Sequence, residues 1–179
     1  MTLRSLVLRA ICAVPLMALC LVTQARAVEE AELKAAIVFN ILLFVDWPAE
    51  MLPEPGGVLA VCVGPNSGLN AALKALDNRP LRGLRVEVHD LPQPDHVRPC
   101  HAVFIDAADR VRMARSLKAQ RAAGAMVLSD DPEAPRDATA VVLERVGNKI
   151  AFDVNLQPLR QARLQLSSKL LRLARVVRE

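Results

Sequence analysis

Cysteine is the residue type in this chain best placed to do chemistry, and its spacing narrows what that chemistry can be. Cys12 and Cys20 fall in an apolar N-terminal stretch, whereas Cys62 and Cys100 fall in the body of the chain. Where the stretch is removed as an export signal, one pair of thiols remains in an oxidising compartment, and pairing is the default there. A Cys62–Cys100 bridge would tie two predicted strands through a loop of about forty residues, worth roughly 3 to 4 kcal/mol by loop entropy. Stabilisation is the favoured role, and a redox switch is the second. A zinc site built from Cys62, Cys100, His101 and His96 is a distant third, because zinc needs four converging ligands and the spacing fits no finger or ribbon.

The remaining candidates are weaker. Asp106 and Asp130 follow predicted strand ends, where α/β folds place chemistry. A phosphoacceptor or hydrolase reading would follow, but the first strand runs into Gly64-Pro65-Asn66 with no acidic pair for magnesium. Capping and solvated turns explain both acids better. Gly64 to Gly68 could present backbone amides to an anion, yet it lacks the dinucleotide fingerprint and the phosphate-loop lysine. Ser167 and Ser168, with His89 or His101, lack the Gly-x-Ser-x-Gly elbow of a hydrolase. No catalytic set, metal site or cofactor is therefore assigned. Gly64, Asn66, Asp106 and Asp130 stand as candidates for a ligand pocket at the carboxyl ends of the strands.

The elements that must position these residues begin after a leader. Arg4 and Arg9 precede an uncharged run from Ala10 to Val22, and Ala25-Arg26-Ala27 fits the pattern cut by signal peptidase. We expect cleavage after Ala27, leaving a single exported domain over residues 28–179, and the family resemblance given below implies that it resides in the periplasm. The run is shorter than the roughly 20 residues of a permanent span, and Leu19 before Cys20 disfavours a lipoprotein signal. The whole chain carries 23 Lys and Arg against 19 Asp and Glu, but three of the arginines lie in the leader, which holds no acid. The apparent basicity is thus mostly the leader plus a basic C-terminus. With no tyrosine and one tryptophan, the chain lacks the stacking aromatics and broad basic surface of a nucleic-acid binder.

Apolar periodicity predicts a first helix over Glu29 to Asp46, ended by Trp47-Pro48. Phe39, Leu42 and Leu43 widen its stripe beyond one face, so it is either deeply buried or offers a partner or dimer surface. Asn40 interrupts it, and a buried amide there would need partners. Strands are predicted at Val58 to Gly64, Leu84 to His89, Ala102 to Ile105 and Ala125 to Ser129. Helices are predicted from Asn66 or Ser67 to about Leu76 and from about Ala107 to Ala122. Leu91 to Pro99 reads as a loop with one helical turn at Asp95 to Val97. Thr139 to Arg145 and Lys149 to Val154 read as a β-hairpin. The pattern predicts an α/β three-layer sandwich with a mostly parallel sheet, antiparallel edge strands from the hairpin, and a closing C-terminal helix. In that last helix Leu170, Leu171, Leu173, Ala174 and Val177 gather on one side. Lys169, Arg172, Arg175 and Arg178 step across the other, where they are solvated or meet an acidic partner or anionic lipid.

Leu33-Lys34-Ala35-Ala36, Phe39-Asn40 and Phe44-Val45-Asp46-Trp47-Pro48 resemble the opening helix of the YfiR family of small periplasmic proteins. The resemblance continues through Val61-Cys62-Val63-Gly64, Cys100-His101, Val103-Phe104-Ile105, Ser129-Asp130 and Phe152-Asp153-Val154-Asn155-Leu156, and ends at Leu164 to Ala174. It implies a regulator that binds the periplasmic sensor portion of a membrane-anchored diguanylate cyclase and holds it inactive until envelope or redox stress releases it. The family's first cysteine pair corresponds to Cys62 and Cys100. No cysteine follows Cys100 here, so the second pair of the better-known members is missing. A periplasmic small-ligand sensor is the alternative reading; a homodimer through residues 33–45 and peripheral membrane contact are also open.

Overall fold

The computed structural model describes residues 29–92 and 99–179. The leader, the turn at Asp95 to Val97, and His96 lie outside the described residues.

Helix α1 covers residues 29–43. It is followed by β1 (Val45–Asp46), a 3-10 turn (Ala49–Met51), β2 (Val58–Val63), α2 (Asn70–Lys74), β3 (Pro80–Leu81), β4 (Leu84–Asp90) and β5 (Ala102–Phe104). Then come α3 (Ala114–Ala122), β6 (Met126–Ser129), β7 (Val141–Val146), β8 (Lys149–Asn155), α4 (Leu156–Gln161), β9 (Gln165–Leu166), α5 (Ser168–Leu171) and β10 (Val176–Arg178). The central sheet has eight strands in the order β10-β8-β7-β6-β5-β2-β4-β3. From β4 to β7 every pairing is parallel. The β7–β8 hairpin and the β3–β4 pair are antiparallel.

Strand alternation divides the core into two layers. Ala102 and Phe104 of β5, Met126 and Leu128 of β6, and Leu59, Val61 and Val63 of β2 face one cluster, with Val38, Ile41 and Leu42 of α1, Leu73 of α2, Leu159 of α4 and Leu170 of α5. Val103 and Val127 face the other, with Leu117 of α3, Met113, Cys62 and Cys100. Helices on both faces of a mostly parallel sheet make the expected three-layer α/β sandwich, with the β7–β8 hairpin turning at Gly147 in the left-handed region.

Local differences from the sequence reading have physical reasons. Helix α1 stops at residue 43, three residues early, because Val45 and Asp46 pair with Leu166 and Gln165 as strands and bury Val45 completely. Asn40 is exposed, so its amide needs no internal partner. The third helix begins at Ala114, after a run of turns, and not near Ala107. Strand β3 went unforeseen; its turn, Arg82-Gly83, has positive φ at both residues, the pattern of a tight hairpin. The hairpin strands are not the sheet's edge, since β10 lies outside β8. The closing helix is the single turn Ser168–Leu171, capped by the Ser167 hydroxyl, which accepts from the Lys169 N–H. Beyond it the chain is drawn into β10, whose backbone pairs with Asp153 to Asn155, so the basic helical face drawn from the sequence does not extend past Arg172.

Candidate functional site

The cysteines meet. Cys62 of β2 and Cys100, two residues before β5, form a disulfide with Cα atoms 5.9 Å apart. Both are almost fully buried against α3, and the Cys100 N–H donates to Gln120 Oε1 at 2.8 Å. The bridge occupies both sulfurs, so neither can ligate a metal while it holds.

Beside the bridge, His101 has both ring nitrogens engaged. Nδ1 accepts from the Ala60 N–H at 3.0 Å and Nε2 donates to the Met51 carbonyl at 2.8 Å. Trp47 meets the ring edge-on at 5.9 Å between centroids. Burial pushes the His101 pKa down, which its backbone hydrogen bonds only partly counter.

At the carboxyl end of the sheet each of the sequence-predicted residues is engaged with a neighbour outside that set. Asn66 donates from its backbone N–H and its side-chain amide to Asp109, at 2.6 and 2.7 Å. Asp106 accepts from the N–H groups of Gly68 and Ala108, so it caps two turns. Gly64 approaches so closely that a Cβ there would lie 2.5 Å from Asp109 Oδ2. Asp130 is drawn elsewhere, to the ammonium of Lys34 on α1 at 2.8 Å. Burial lowers the Lys34 pKa, but Asp130 and Glu30 outweigh it and leave the ammonium raised. The sequence reading missed Asp109, which is fully buried, because Ala-Ala-Asp-Arg looks like an ordinary solvated helix start.

Cavities lie elsewhere, three of them close to Trp47 or the bridge. One of about 290 Å³ is lined by Trp47, Leu52, Leu59, Leu81 and Arg82. One of about 530 Å³ lies over β2 and β4 against Cys62 and His89. One of about 380 Å³ lies between Met51 and Cys100. Gly64, Asn66, Asp106 and Asp130 line none of these three.

Of the proposed surface residues, Leu42 belongs to the protein's own core, and Phe39 and Leu43 are half-buried, with the Arg79 guanidinium stacked over the Phe39 ring. At the C-terminal edge Leu173 is 70 % exposed, and Val176 and Val177 are exposed beside it. Lys169 and Arg172 are exposed as well and make no ion pair among the described residues, whereas Arg175 is committed to Asp153 and Glu144. Among the described residues the result is a sheet edge with no strand beyond β10, apolar at Leu173, Val176 and Val177 and basic at its approach.

A disulfide-bridged α/β sandwich with an open apolar and basic edge is a domain suited to binding. A family model described as YfiR/HmsC-like matches residues 31–175, and the chain belongs to that family. Membership implies a periplasmic regulator of cyclic di-GMP signalling that acts with partner proteins. Among solved structures the chain resembles a conserved domain protein from Vibrio cholerae O1 biovar El Tor strain N16961, with a TM-score of 0.53 and 9 % identity. The match covers 83 % of this chain and 60 % of that one, and shows the fold alone. No curated protein matches. Among the described residues no helix is long and apolar enough to cross a membrane.

Proposed function

We propose that the protein is exported to the periplasm, loses residues 1–27, and there binds and inhibits the periplasmic sensor portion of an inner-membrane diguanylate cyclase. Family membership supports the regulatory class. The observation that carries the binding reading is the edge strand β10, which pairs with β8 on one side and has no strand on its other side among the described residues. An unpaired strand edge is a template for pairing with another chain. Lys169 and Arg172 favour an acidic partner, and on a membrane-anchored target they would also lie near anionic lipid.

The test is recovery from a membrane extract, in oxidising and then reducing buffer. Retention of a diguanylate cyclase with a periplasmic sensor segment supports the reading, and weaker retention in reductant makes Cys62–Cys100 part of the response. Absence of any cyclase in both buffers overturns it.

The second reading, a small-ligand sensor, is favoured by the cleft beside Trp47, since Asn66, Asp106 and Asp130 at the strand ends are held by Asp109, by backbone N–H groups and by Lys34. A metabolite that raises the melting temperature of the wild type but not of a cleft variant would support it.

A further inference from the structure

We propose that His101 is a proton-operated latch between strand β2 and residues 47–55 whose hold on β2 is broken in acid. This segment runs from Trp47 through the turn Ala49–Met51 to Pro55 and separates two cavities. Leu52 and Pro53 line both of them, one shared with Leu59 and Leu81 and the other with Cys100 and His101. Met51 anchors the segment's middle, its carbonyl on His101 and its side chain packed on Gly124.

Only one form of the imidazole can make both bonds. A backbone N–H can only donate, so Nδ1 must offer Ala60 a lone pair; a carbonyl can only accept, so Nε2 must carry the hydrogen that goes to Met51. Protonation puts a hydrogen on Nδ1, turns N–H against N–H, and leaves the Ala60 amide without an acceptor, while Nε2–H keeps the Met51 carbonyl, so the ring stays with the segment and lets go of β2. The ring's burial favours the neutral form, so the latch holds at neutral pH and lets go below the ordinary histidine range.

The charged groups around the ring do not replace this chemistry. On the segment itself Glu50 is paired with Arg163 at 2.7 Å. On β4, Glu87 lies in register with Ala60 and is held by His89 at 3.0 Å. At the end of α3, Arg121 donates to the Asp137 carbonyl. Strands β2, β5 and β6 carry no titratable group beyond the bridged Cys62. Among the described residues no carboxylate is hydrogen-bonded to the ring, so no counter-ion offsets the charge it gains.

Trp47 is the chain's one tryptophan and touches the latch, so its fluorescence reports it directly. The purified full chain is titrated from neutral pH downward, with far-ultraviolet circular dichroism following the sheet. The expected result is a shift in Trp47 emission with a single midpoint below that of an ordinary histidine, while the sheet signal is unchanged. His101→Gln keeps one acceptor and one donor but does not titrate in this range, so it should lose the shift; His89→Gln should keep it. A shift that survives in His101→Gln, or is lost in His89→Gln, overturns the proposal, as does a wild type with no shift before the sheet unfolds. Should His101→Gln fail to fold, nitrogen-15 spectra of the wild type decide the matter. The Ala60 amide must move with the His101 ring at one midpoint, and an Ala60 amide that ignores the ring's titration refutes the latch.

Discussion

Arg175 grips Asp153 with two parallel bonds, Nε to Oδ1 at 2.8 Å and Nη2 to Oδ2 at 2.9 Å. Arg178 adds a contact at 3.3 Å, and Glu144 takes the outer side of the Arg175 guanidinium. The Asp153 side chain is buried while Arg175 is exposed, so the fork pulls the chain end onto β8. A bidentate arginine fixes direction as well as contact, which is why the last residues form a strand where their amphipathic spacing suggested more helix.

That fork has a pH signature. The Arg175 hydrogen bond holds the Asp153 carboxyl below the usual aspartate range. A carboxylate depressed in the fold contributes stability above its unfolded pKa and loses it as pH falls through the folded one. Attachment of β10 should therefore weaken in acid, below the range where free aspartates titrate. Asp153→Asn should mimic this at neutral pH, with faster amide exchange at residues 176–178 and little change in exchange at β5 and β6. Unchanged protection of 176–178 in the variant would show that the backbone pairing alone holds the strand.

Gly64 and Asp109 make a second pair whose sizes are matched. Gly64 is not in the left-handed region, so alanine would suit its backbone; the obstacle is the carboxylate, 2.5 Å from the new Cβ. Asp109 cannot retreat freely, because it is fully buried and holds Asn66 by two bonds. Gly64→Ala should cost about 1 to 3 kcal/mol, the range for overpacking a filled interior, measured by urea unfolding. A cost under about 0.5 kcal/mol, typical of surface changes, would mean the turn can shift as a unit.

The bridge gives a third expectation. Its cysteines are separated by 38 residues, and closing such a loop in the unfolded chain is worth about 4 kcal/mol. The Cys62→Ala, Cys100→Ala double variant should lose about that much in urea unfolding. If the folded double variant still binds the cyclase as the wild type does, the bridge is a staple; lost binding at equal folded fraction makes it part of the switch.

These residues also show what sequence can and cannot reveal. The strands were legible because β2, β5 and β6 are short apolar runs bounded by turn residues, which leave few alternatives. Cys62 and Cys100 were legible as a pair because they are the two thiols of the chain's body, and pairing is the default for such a pair wherever a domain is exported. The edges were not. Val176-Val177-Arg178 continues a helical spacing, and pairing with Asp153 to Asn155, distant in sequence, makes it a strand; Val45 is likewise claimed by Leu166. Asp109 gave no sign of its part for the same reason, and the sequence offered His101 only as a zinc ligand or a hydrolase partner. Their roles come from Asn66 in one case and from Ala60 and Met51 in the other, and no local pattern announces partners so far apart.

The two candidate surfaces can be separated by charge and position. Lys169 and Arg172 stand unpaired among the described residues next to the open edge, while Phe39 and Leu43 on α1 are half-buried and Leu42 is in the core. Rim charges act mainly on association rate and its salt dependence, whereas apolar contacts at the centre of an interface act on dissociation. Lys169→Glu with Arg172→Glu should slow capture of the cyclase sensor on the order of tenfold at low salt and flatten its salt dependence. Leu173→Asp should speed release instead, while Leu33→Asp, at the exposed start of α1, should leave both rates unchanged. Surface plasmon resonance on the immobilised sensor segment reads all three. The opposite pattern, with Leu33→Asp alone disruptive, would place the partner on α1, and light scattering on that variant would then show whether the same face joins two copies of this chain.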